Sequence, residues 1–345
     1  MRRLAIGNLV AQIGIAVTGS VVRVTGSGLG CPTWPQCNPG SLVPTSHPEI
    51  APLHQWIEFG NRLLGVAVVL TAGACLLAAL FTRPRRRRLS VLATMMPLGV
   101  VAQGVIGGFT VLAGLSWWSV MPHFLASMVL VWLSVLLVNA AGEGDAPPTH
   151  TVPGAVRGLV VVCTVVLAAL LIAGTLVTAA GPHAGDAATP RLDVAVSLLA
   201  QLHADLLFAY LGTLVGLGFA LRAVSAPALL NRRFAVLVAV VLGQGALGGV
   251  QYALGVPELL VSLHVLGAGL VTAAAASVWS GTSTRPAPTD LHGPISSPNQ
   301  EVAATRDGAT EEHGAPGGHS VADDRNAAPD VTASPLADAS TSDRS

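Results

Sequence analysis

Charged residues are scarce in this sequence of 345 residues, and lysine is absent altogether. Only 10% of the residues are charged, whereas a soluble globular domain carries about 25%. This scarcity excludes an ordinary soluble domain. Cysteine is also rare: two of the four cysteines lie in one polar loop, and a closed zinc site would need further ligands beside them. No small-residue cleavage pattern follows the first apolar stretch, so we expect no removed signal peptide.

Long apolar runs make up most of the first 280 positions, and hydrophobic residues reach 52% of the chain. A helix of about 20 apolar residues is long enough to cross a bilayer, and it satisfies its own backbone hydrogen bonds. We therefore predict an all-α membrane protein. Its eight transmembrane helices are predicted at 4–22, 57–81, 91–112, 120–140, 158–180, 198–221, 234–255 and 258–280.

Arginine residues indicate the side on which each connection lies, because cytoplasmic loops carry the excess of positive charge. The connections on the side of the N-terminus contain Arg2, Arg3, Arg83, Arg85 to Arg88, Arg157, Arg222, Arg232 and Arg233. The opposite connections contain Arg23 and Arg191, with Arg62 at the mouth of the second helix. This asymmetry predicts a multi-pass protein of the plasma membrane with both termini cytoplasmic, an external loop at 23–53 and a cytoplasmic linker at 141–157.

A short motif occurs twice in the chain. The pattern Q-G-x-x-G-G is found at 103–108 and again at 244–249, and His123 precedes His264 by the same 141 positions. Because a repeat of four helices keeps its orientation in the membrane, the two copies predict a duplication whose halves are related by a pseudo-two-fold axis along the membrane normal.

The predicted domains follow from this repeat. Two four-helix bundles, at 1–140 and 158–280, are predicted to form the membrane part of the protein. From 281 to 345 the chain is polar and has no apolar period, which predicts a disordered cytoplasmic tail.

The external loop contains a cysteine pair. Cys31 and Cys37 have five residues between them, in a stretch rich in glycine and proline. On the oxidising face of a membrane such a pair closes a disulfide, and two free thiols are the alternative.

Three histidines lie inside predicted helices, where ionisable groups are costly. His123, His203 and His264 each lie within about two turns of the external end of an even-numbered helix, and His54 lies at the mouth of the second helix. Imidazoles from facing helices are the usual axial ligands of haem iron. We predict haem rather than a bare ion because no acidic residue or cysteine accompanies His123 or His264 within a turn. The alternative for each ring is a hydrogen bond to a backbone carbonyl or a neighbouring hydroxyl.

Glu58 and Arg62 lie on one face of the second helix, since four residues make about one turn. One interpretation is a structural ion pair. The other is that Glu58 is a proton acceptor or a water-orienting base beside a bound substrate, while Arg62 binds a propionate. The sequence leaves both interpretations open.

Taken together, these residues resemble the haem A synthase family. The likeness covers about residues 1–280 and is most specific in the block V-R-x-T-G-S-G-L-G-C-P-x-W-P-x-C, which begins at Val22. The other residues that carry the resemblance are Glu58, Arg62, the motif at 103–108, His123, His203 and His264.

The resemblance implies an eight-helix enzyme that oxidises the C8 methyl group of haem O to the formyl group of haem A, with water as the oxygen source. It implies a haem b cofactor held by His203 and His264, and a substrate haem O held with His123 beside a catalytic Glu58. The implied partners are a haem O synthase, cytochrome oxidase assembly factors, membrane lipid and a second copy of the chain. No nucleic acid is expected among them.

One position departs from the family. Better-known members have a histidine where this chain has Asn61, so the iron of the substrate would lose one axial ligand and become five-coordinate, or His54 would substitute. His54 lies seven residues earlier, about 10 Å along a helix, and could substitute only in a shifted pose.

Two other classes of function compete with this interpretation. A di-haem b electron carrier of the membrane would bind the same cofactor without oxidising a substrate. A transporter is suggested by the internal repeat and by the polar residues at membrane depth. Extraction of the pigment separates the three, because only the first contains haem O or haem A beside haem b, and a transporter contains none.

Overall fold

The computed structural model describes residues 1–287, and the rest of the predicted tail lies outside the described residues. Eight helices in this part of the chain are long and apolar enough to cross a membrane, which confirms the predicted all-α membrane fold. They are α1 (Arg2–Val24), α2 (Pro52–Phe81), α3 (Arg87–Leu112), α4 (Trp117–Gly142), α5 (Gly154–Ala180), α6 (Val196–Ala223), α7 (Ala228–Ala253) and α8 (Glu258–Gly281).

Proline residues fix where several helices begin. Pro52 is the first residue of α2, and Pro153, Pro227 and Pro257 immediately precede α5, α7 and α8. Proline suits these positions because the first N–H groups of a helix have no intrahelical acceptor, and proline has no N–H to leave unpaired. The helices therefore begin where the sequence supplies a proline, and α2 begins five residues before the predicted span.

Consecutive helices run in opposite directions, so α2, α4, α6 and α8 all begin at the same end of the bundle. We call this the disulfide end, because the loop between α1 and α2 contains the Cys31–Cys37 bond. We call the opposite end, where α1 begins and α8 ends, the terminus end.

The two halves pack differently. In the N-terminal half, α1 to α4 form a closed ring in which each helix packs along both of its neighbours. In the C-terminal half, α5 packs on α6 and α7 packs on α8, but contact between these two pairs is slight. Each half has its own cluster of buried apolar side chains, and α1, α4 and α8 pack together between the halves. The C-terminal half is therefore two helix pairs, and the apolar side chains of its cluster fill part of the cleft between them.

A small sheet closes the terminus end. Strand β1 (Thr149–His150), in the linker between α4 and α5, pairs antiparallel with β2 (Ser283–Thr284), directly after α8. Gly144 also donates its N–H to the Pro286 carbonyl at 2.7 Å. The first residues of the predicted tail are thus part of the folded domain.

Candidate functional site

The Cys31–Cys37 disulfide predicted from the sequence is present, and it holds the loop at the mouth of α2. Arg62, in the third turn of α2, holds this loop to the helix. Its Nη2 donates to the Cys31 carbonyl at 2.8 Å, and its Nη1 donates to the carbonyls of Thr33 and Gln36 at 3.0 and 3.1 Å. The loop and the helix are therefore joined through one guanidinium group.

The same guanidinium pairs with Glu58. Nε and Nη2 of Arg62 donate to Glu58 Oε1 at 3.2 and 2.6 Å. Together with the three loop carbonyls, these bonds occupy all five N–H donors that an arginine has. A propionate could reach Arg62 only by displacing one of them, so the predicted propionate contact has no open donor at this residue.

Glu58 is buried, with 4% of the residue exposed. Its second oxygen, Oε2, accepts the backbone N–H of Cys31 at 2.7 Å. An ionised carboxylate is stabilised when it accepts charge-assisted and backbone hydrogen bonds in this way. Both carboxylate oxygens of Glu58 are therefore held in place under the disulfide loop, and the ion pair that the i, i+4 spacing suggested is present.

The tip of the loop reaches α3, which the sequence did not indicate. The indole of Trp34 lies so close to Gly108 that a Cβ at that position would collide with its ring. Gly108 is the last residue of the first Q-G-x-x-G-G motif. The preceding glycine, Gly107, faces His123, with the His123 ring 3.2 Å from where a Cβ would lie. Trp34 and His123 thus lie on neighbouring glycines of α3.

His203 on α6 and His264 on α8 face each other across the C-terminal cleft. Their ring centres are 6.4 Å apart and the ring planes make an angle of 63°. Nδ1 of His203 donates to the Leu170 carbonyl at 3.1 Å, because a carbonyl can only accept. This bond leaves Nε2 of His203 as the nitrogen with a free lone pair.

Small residues give both rings their space. A Cβ at Gly174 would lie 3.0 Å from His203 Cε1, and a Cβ at Gly248 would lie 3.0 Å from His264 Cε1. Gly248 belongs to the second Q-G-x-x-G-G motif, as Gly107 belongs to the first. The glutamine of each motif has an equivalent role, because it donates to the carbonyl of the histidine on the next helix. The two bonds are Gln103 to His123 O at 3.0 Å and Gln244 to His264 O at 2.8 Å.

These repeated contacts explain the motif physically. The glutamine holds the turn of the helix that carries the histidine, and the second glycine makes room for its ring. The pseudo-two-fold relation of the whole halves stays a prediction, since only these local contacts recur.

The N-terminal half has one ring where the C-terminal half has a pair. Among the described residues, His123 has no facing imidazole. Asn61, on α2, accepts the Thr18 hydroxyl of α1 at 2.8 Å through Oδ1. His54 lies in the first turn of α2, where its carbonyl packs against Gly30 of the loop, about two turns from Asn61. The structure therefore does not bring His54 to the level of Asn61.

The C-terminal residues fit a haem iron. A metal–imidazole bond is about 2 Å long, so two imidazoles on opposite sides of one metal place their ring centres about 6 Å apart. The rings of His203 and His264 have this separation, and they lie in a cleft between two helix pairs. Within residues 1–287, no three side chains of His, Cys, Asp or Glu converge as a bare metal ion would need. A flat cofactor with four ligands of its own is what two imidazoles can complete.

Comparison with known proteins identifies a family. The COX15-CtaA family model, described as cytochrome oxidase assembly protein, matches residues 2–276. The heme A synthase of Geobacillus kaustophilus is 28% identical over 134 residues, which are 39% of this chain and 40% of that protein. That of Shouchella clausii is 30% identical over 158 residues, 44% of this chain and 50% of that protein. That of Halalkalibacterium halodurans is 32% identical over 154 residues, 42% of this chain and 49% of that protein.

The chain spans half or less of the length of these curated relatives, whereas the family match extends over most of its own length. The resemblance to haem A synthases that the signature block carried is confirmed by both comparisons. The chain therefore belongs to the COX15-CtaA family of cytochrome oxidase assembly proteins.

Proposed function

We propose that this chain is a haem A synthase, which oxidises the C8 methyl group of haem O to the formyl group of haem A. In the balanced reaction, the methyl group and one water molecule together release four electrons and four protons. The oxygen atom of that water becomes the formyl oxygen, through a hydroxymethyl intermediate. The electrons pass to an acceptor outside the chain. The product would serve cytochrome oxidase assembly, with a haem O synthase as the source of the substrate. The disulfide end would be external, where disulfides persist.

The observation that carries this proposal is the facing pair His203 and His264, at 6.4 Å, in the cleft of the C-terminal half. These two residues would hold a haem b, which supplies one-electron transfer away from the substrate when it is bound. The Leu170 carbonyl fixes His203 in the tautomer whose Nε2 can bind a metal. The glycines at 174 and 248 keep the rings in place without a competing side chain.

The N-terminal half would hold the substrate. His123 would bind its iron, because its ring lies against Gly107 as the ring of His264 lies against Gly248 in the other half. Asn61 offers an amide rather than an imidazole on the opposite helix. Haem O would then have one protein ligand here, which suits a molecule that must leave after the reaction better than the two ligands of a resident cofactor.

Glu58 would act as a fixed charge. Removal of electrons from the methyl group leaves a positive carbon, and a preorganised carboxylate stabilises such a charge without reorganising. Hydrogen bonds from Cys31 N and Arg62 hold both carboxylate oxygens in place. These oxygens can still accept a hydrogen bond from water, which would orient the incoming oxygen atom towards the carbon.

The test is haem analysis. The chain is expressed in cells that make haem O but lack a haem A synthase, and the extracted haems are separated by chromatography. We expect haem A from the wild type. Glu58→Gln is expected to retain haem but lower the haem A yield about 100-fold or more, since a preorganised charge contributes about that much. Glu49→Gln, an exposed carboxylate of the same loop, is the matched control and should not change the yield.

The outcomes distinguish the competing functions. Haem b alone in the extract, with no haem A at any expression level, would indicate the electron carrier. A protein that purifies without pigment would indicate the transporter. A normal haem A yield from Glu58→Gln would remove Glu58 from the mechanism and leave the rest of the proposal standing.

A further inference from the structure

We propose that Arg23 and Arg191 form an anion-binding site at the disulfide end, which takes the propionate carboxylates of the haem between His203 and His264. This inference rests on the proposed haem binding. It assigns a residue of the N-terminal half to the cofactor of the C-terminal half.

The position of Arg23 follows from a chain of contacts along α5. The ring of His203 lies against Gly174, and Thr178, one turn closer to the disulfide end, donates its hydroxyl to the Gly174 carbonyl at 2.9 Å. The Thr178 carbonyl in turn accepts Nη2 of Arg23 at 2.8 Å. Four residues of helix rise about 6 Å, so the guanidinium lies about one turn above the His203 ring. The carboxylates of a haem between His203 and His264 would therefore be bound at the disulfide end.

Loop contacts bring Arg191 to the same place. Arg23 is the penultimate residue of α1, and the segment after it docks on the connection between α5 and α6 through Gly28 N to Gly185 O at 2.8 Å. A Cβ at Gly185 would lie 3.9 Å from the Arg23 side chain. Arg191 belongs to this same connection. The next residue, Leu192, donates its N–H to the Ala179 carbonyl at 3.1 Å, one residue beyond the Thr178 carbonyl that accepts Arg23. Two guanidinium groups therefore share one region.

Neither arginine forms an ion pair within residues 1–287, although Asp186 and Asp193 lie in the same connection as Arg191. The two ion pairs formed by residues 1–287 are Arg62–Glu58 and Arg88–Glu143, and neither includes Arg23 or Arg191. Arg23 is half-buried and Arg191 is exposed. Like charges that lie close together repel each other, and an anion between them removes that repulsion. A carboxylate is the matching ligand, because a guanidinium presents paired N–H groups that bind both of its oxygens.

A purely structural role explains only part of this arrangement. The Thr178 carbonyl is near the end of α5, where a cation is favourable, so Arg23 caps the helix with one of its donors. Capping leaves four N–H groups of Arg23 for another partner. It also gives no reason for a second cation nearby. Arg62 cannot replace them, because its five donors are occupied by Glu58 and the loop.

The experiment compares haem b with its dimethyl ester, in which both propionates are neutral. The full-length protein, prepared from haem-deficient cells, is titrated with each form. Binding is read from the low-spin spectrum that two imidazoles on one iron produce. For each protein, the ratio of the two Kd values measures the preference for the carboxylates.

We expect the wild type to prefer haem b over its ester about 10- to 100-fold, as hydrogen bonds to a charged group would give. Arg23→Gln should lose most of this preference while binding the ester as the wild type does, and Arg191→Gln should lose part of it. The control is Arg222→Gln, an exposed arginine at the terminus end, which should keep the full preference.

Two results would overturn the inference. An unchanged preference in Arg23→Gln would show that the carboxylates bind elsewhere, and equally weakened binding of both forms would show that Arg23 only caps α5. Either result leaves the proposed function intact. If the wild type gives no low-spin complex with either form, both the haem b site of the proposed function and this inference are wrong.

Discussion

Arg62 and Arg23 lie near the same end of the bundle, but their hydrogen bonds give them different roles. Arg62 has every N–H donor directed at Glu58 or at the disulfide loop. Arg23 bonds one carbonyl of the other half. Arg62 therefore joins the disulfide loop to α2, whereas Arg23 has further N–H donors available for a ligand. Counting donors separates these roles where charge alone does not.

The amide at position 61 leads to a prediction about the N-terminal site. Asn61→His would place a second imidazole on α2, opposite His123, so haem loaded into this half should change from high-spin to low-spin. The measurement is electron paramagnetic resonance of the protein loaded with haem O, in a His203→Ala/His264→Ala background that removes the other imidazole pair. Asn61→Ala is the control and should stay high-spin. A low-spin signal from this half in the parent protein would contradict the assignment of one imidazole.

At the residue scale, spacing predicted contacts within one helix and missed contacts between elements. The Glu58–Arg62 pair follows from a separation of four residues, and the Cys31–Cys37 bond follows from a short loop on an oxidising face. The bonds from Arg62 to three loop carbonyls depend on how the loop folds back over α2. Such tertiary contacts leave no periodic signal in the sequence.

At the scale of the element, the Q-G-x-x-G-G helices carry the most information. Their glutamine fixes the backbone of the next helix, and their second glycine receives the imidazole of that helix. The sequence indicated the repeat of this motif but not its purpose. The reason is that a glycine in a membrane helix can serve close packing of any neighbour. Only the folded structure shows that the neighbour is a histidine ring.

Two adjacent glycines provide a matched test of this role. A Cβ at Gly248 would lie 3.0 Å from His264 Cε1, whereas a Cβ at Gly249 would meet nothing within 4 Å. Both changes to alanine gain similar helix propensity, about 1 kcal/mol. Gly248→Ala should weaken haem retention about tenfold, because overpacking costs about 1–3 kcal/mol and displaces the ring. Haem-to-protein ratios of the purified variants measure this effect, and equal ratios for both variants would refute it.

Helix boundaries show why the prediction of elements was good but incomplete. The predicted seventh span began at 234, whereas α7 begins at Ala228, because the hydropathy argument excluded Arg232 and Arg233. The structure accommodates Arg233 within the helix, since its guanidinium donates to Ser277 O at 3.0 Å and to Asn139 Oδ1 at 3.2 Å. Charge next to an apolar run thus marks the edge of the membrane rather than the end of the helix.

At the scale of the whole molecule, the two halves share a motif but differ in packing. The N-terminal half is a closed ring of helices, and the C-terminal half is split into two pairs. The sequence predicted two equivalent bundles because the repeat preserves the motif and the histidine after it. It could not predict the difference, which depends on how many side chains meet between α5 and α8 and between α6 and α7.

The eight spans of the described residues place residues 1 and 287 on one side, and the arginine distribution predicts that this side is the cytoplasm. Alkaline phosphatase, which folds only where disulfides form, should be active when fused after Gly40 or Pro190 and inactive when fused after Arg88 or Pro148. Green fluorescent protein at the same four positions should show the reverse pattern and is the control. Active phosphatase after Arg88 would invert the proposed orientation.

The pairing of Thr149–His150 with Ser283–Thr284 has a consequence for anyone who shortens this protein. Strand β2, directly after α8, anchors the linker between the two halves, so the first residues of the tail belong to the folded domain. A chain cut after Gly281 would lose this pairing and free the linker, whereas a chain cut after residue 287 would keep it. The chain cut after Gly281 should therefore unfold at a lower temperature than the chain cut after residue 287, although the two differ by only a few residues.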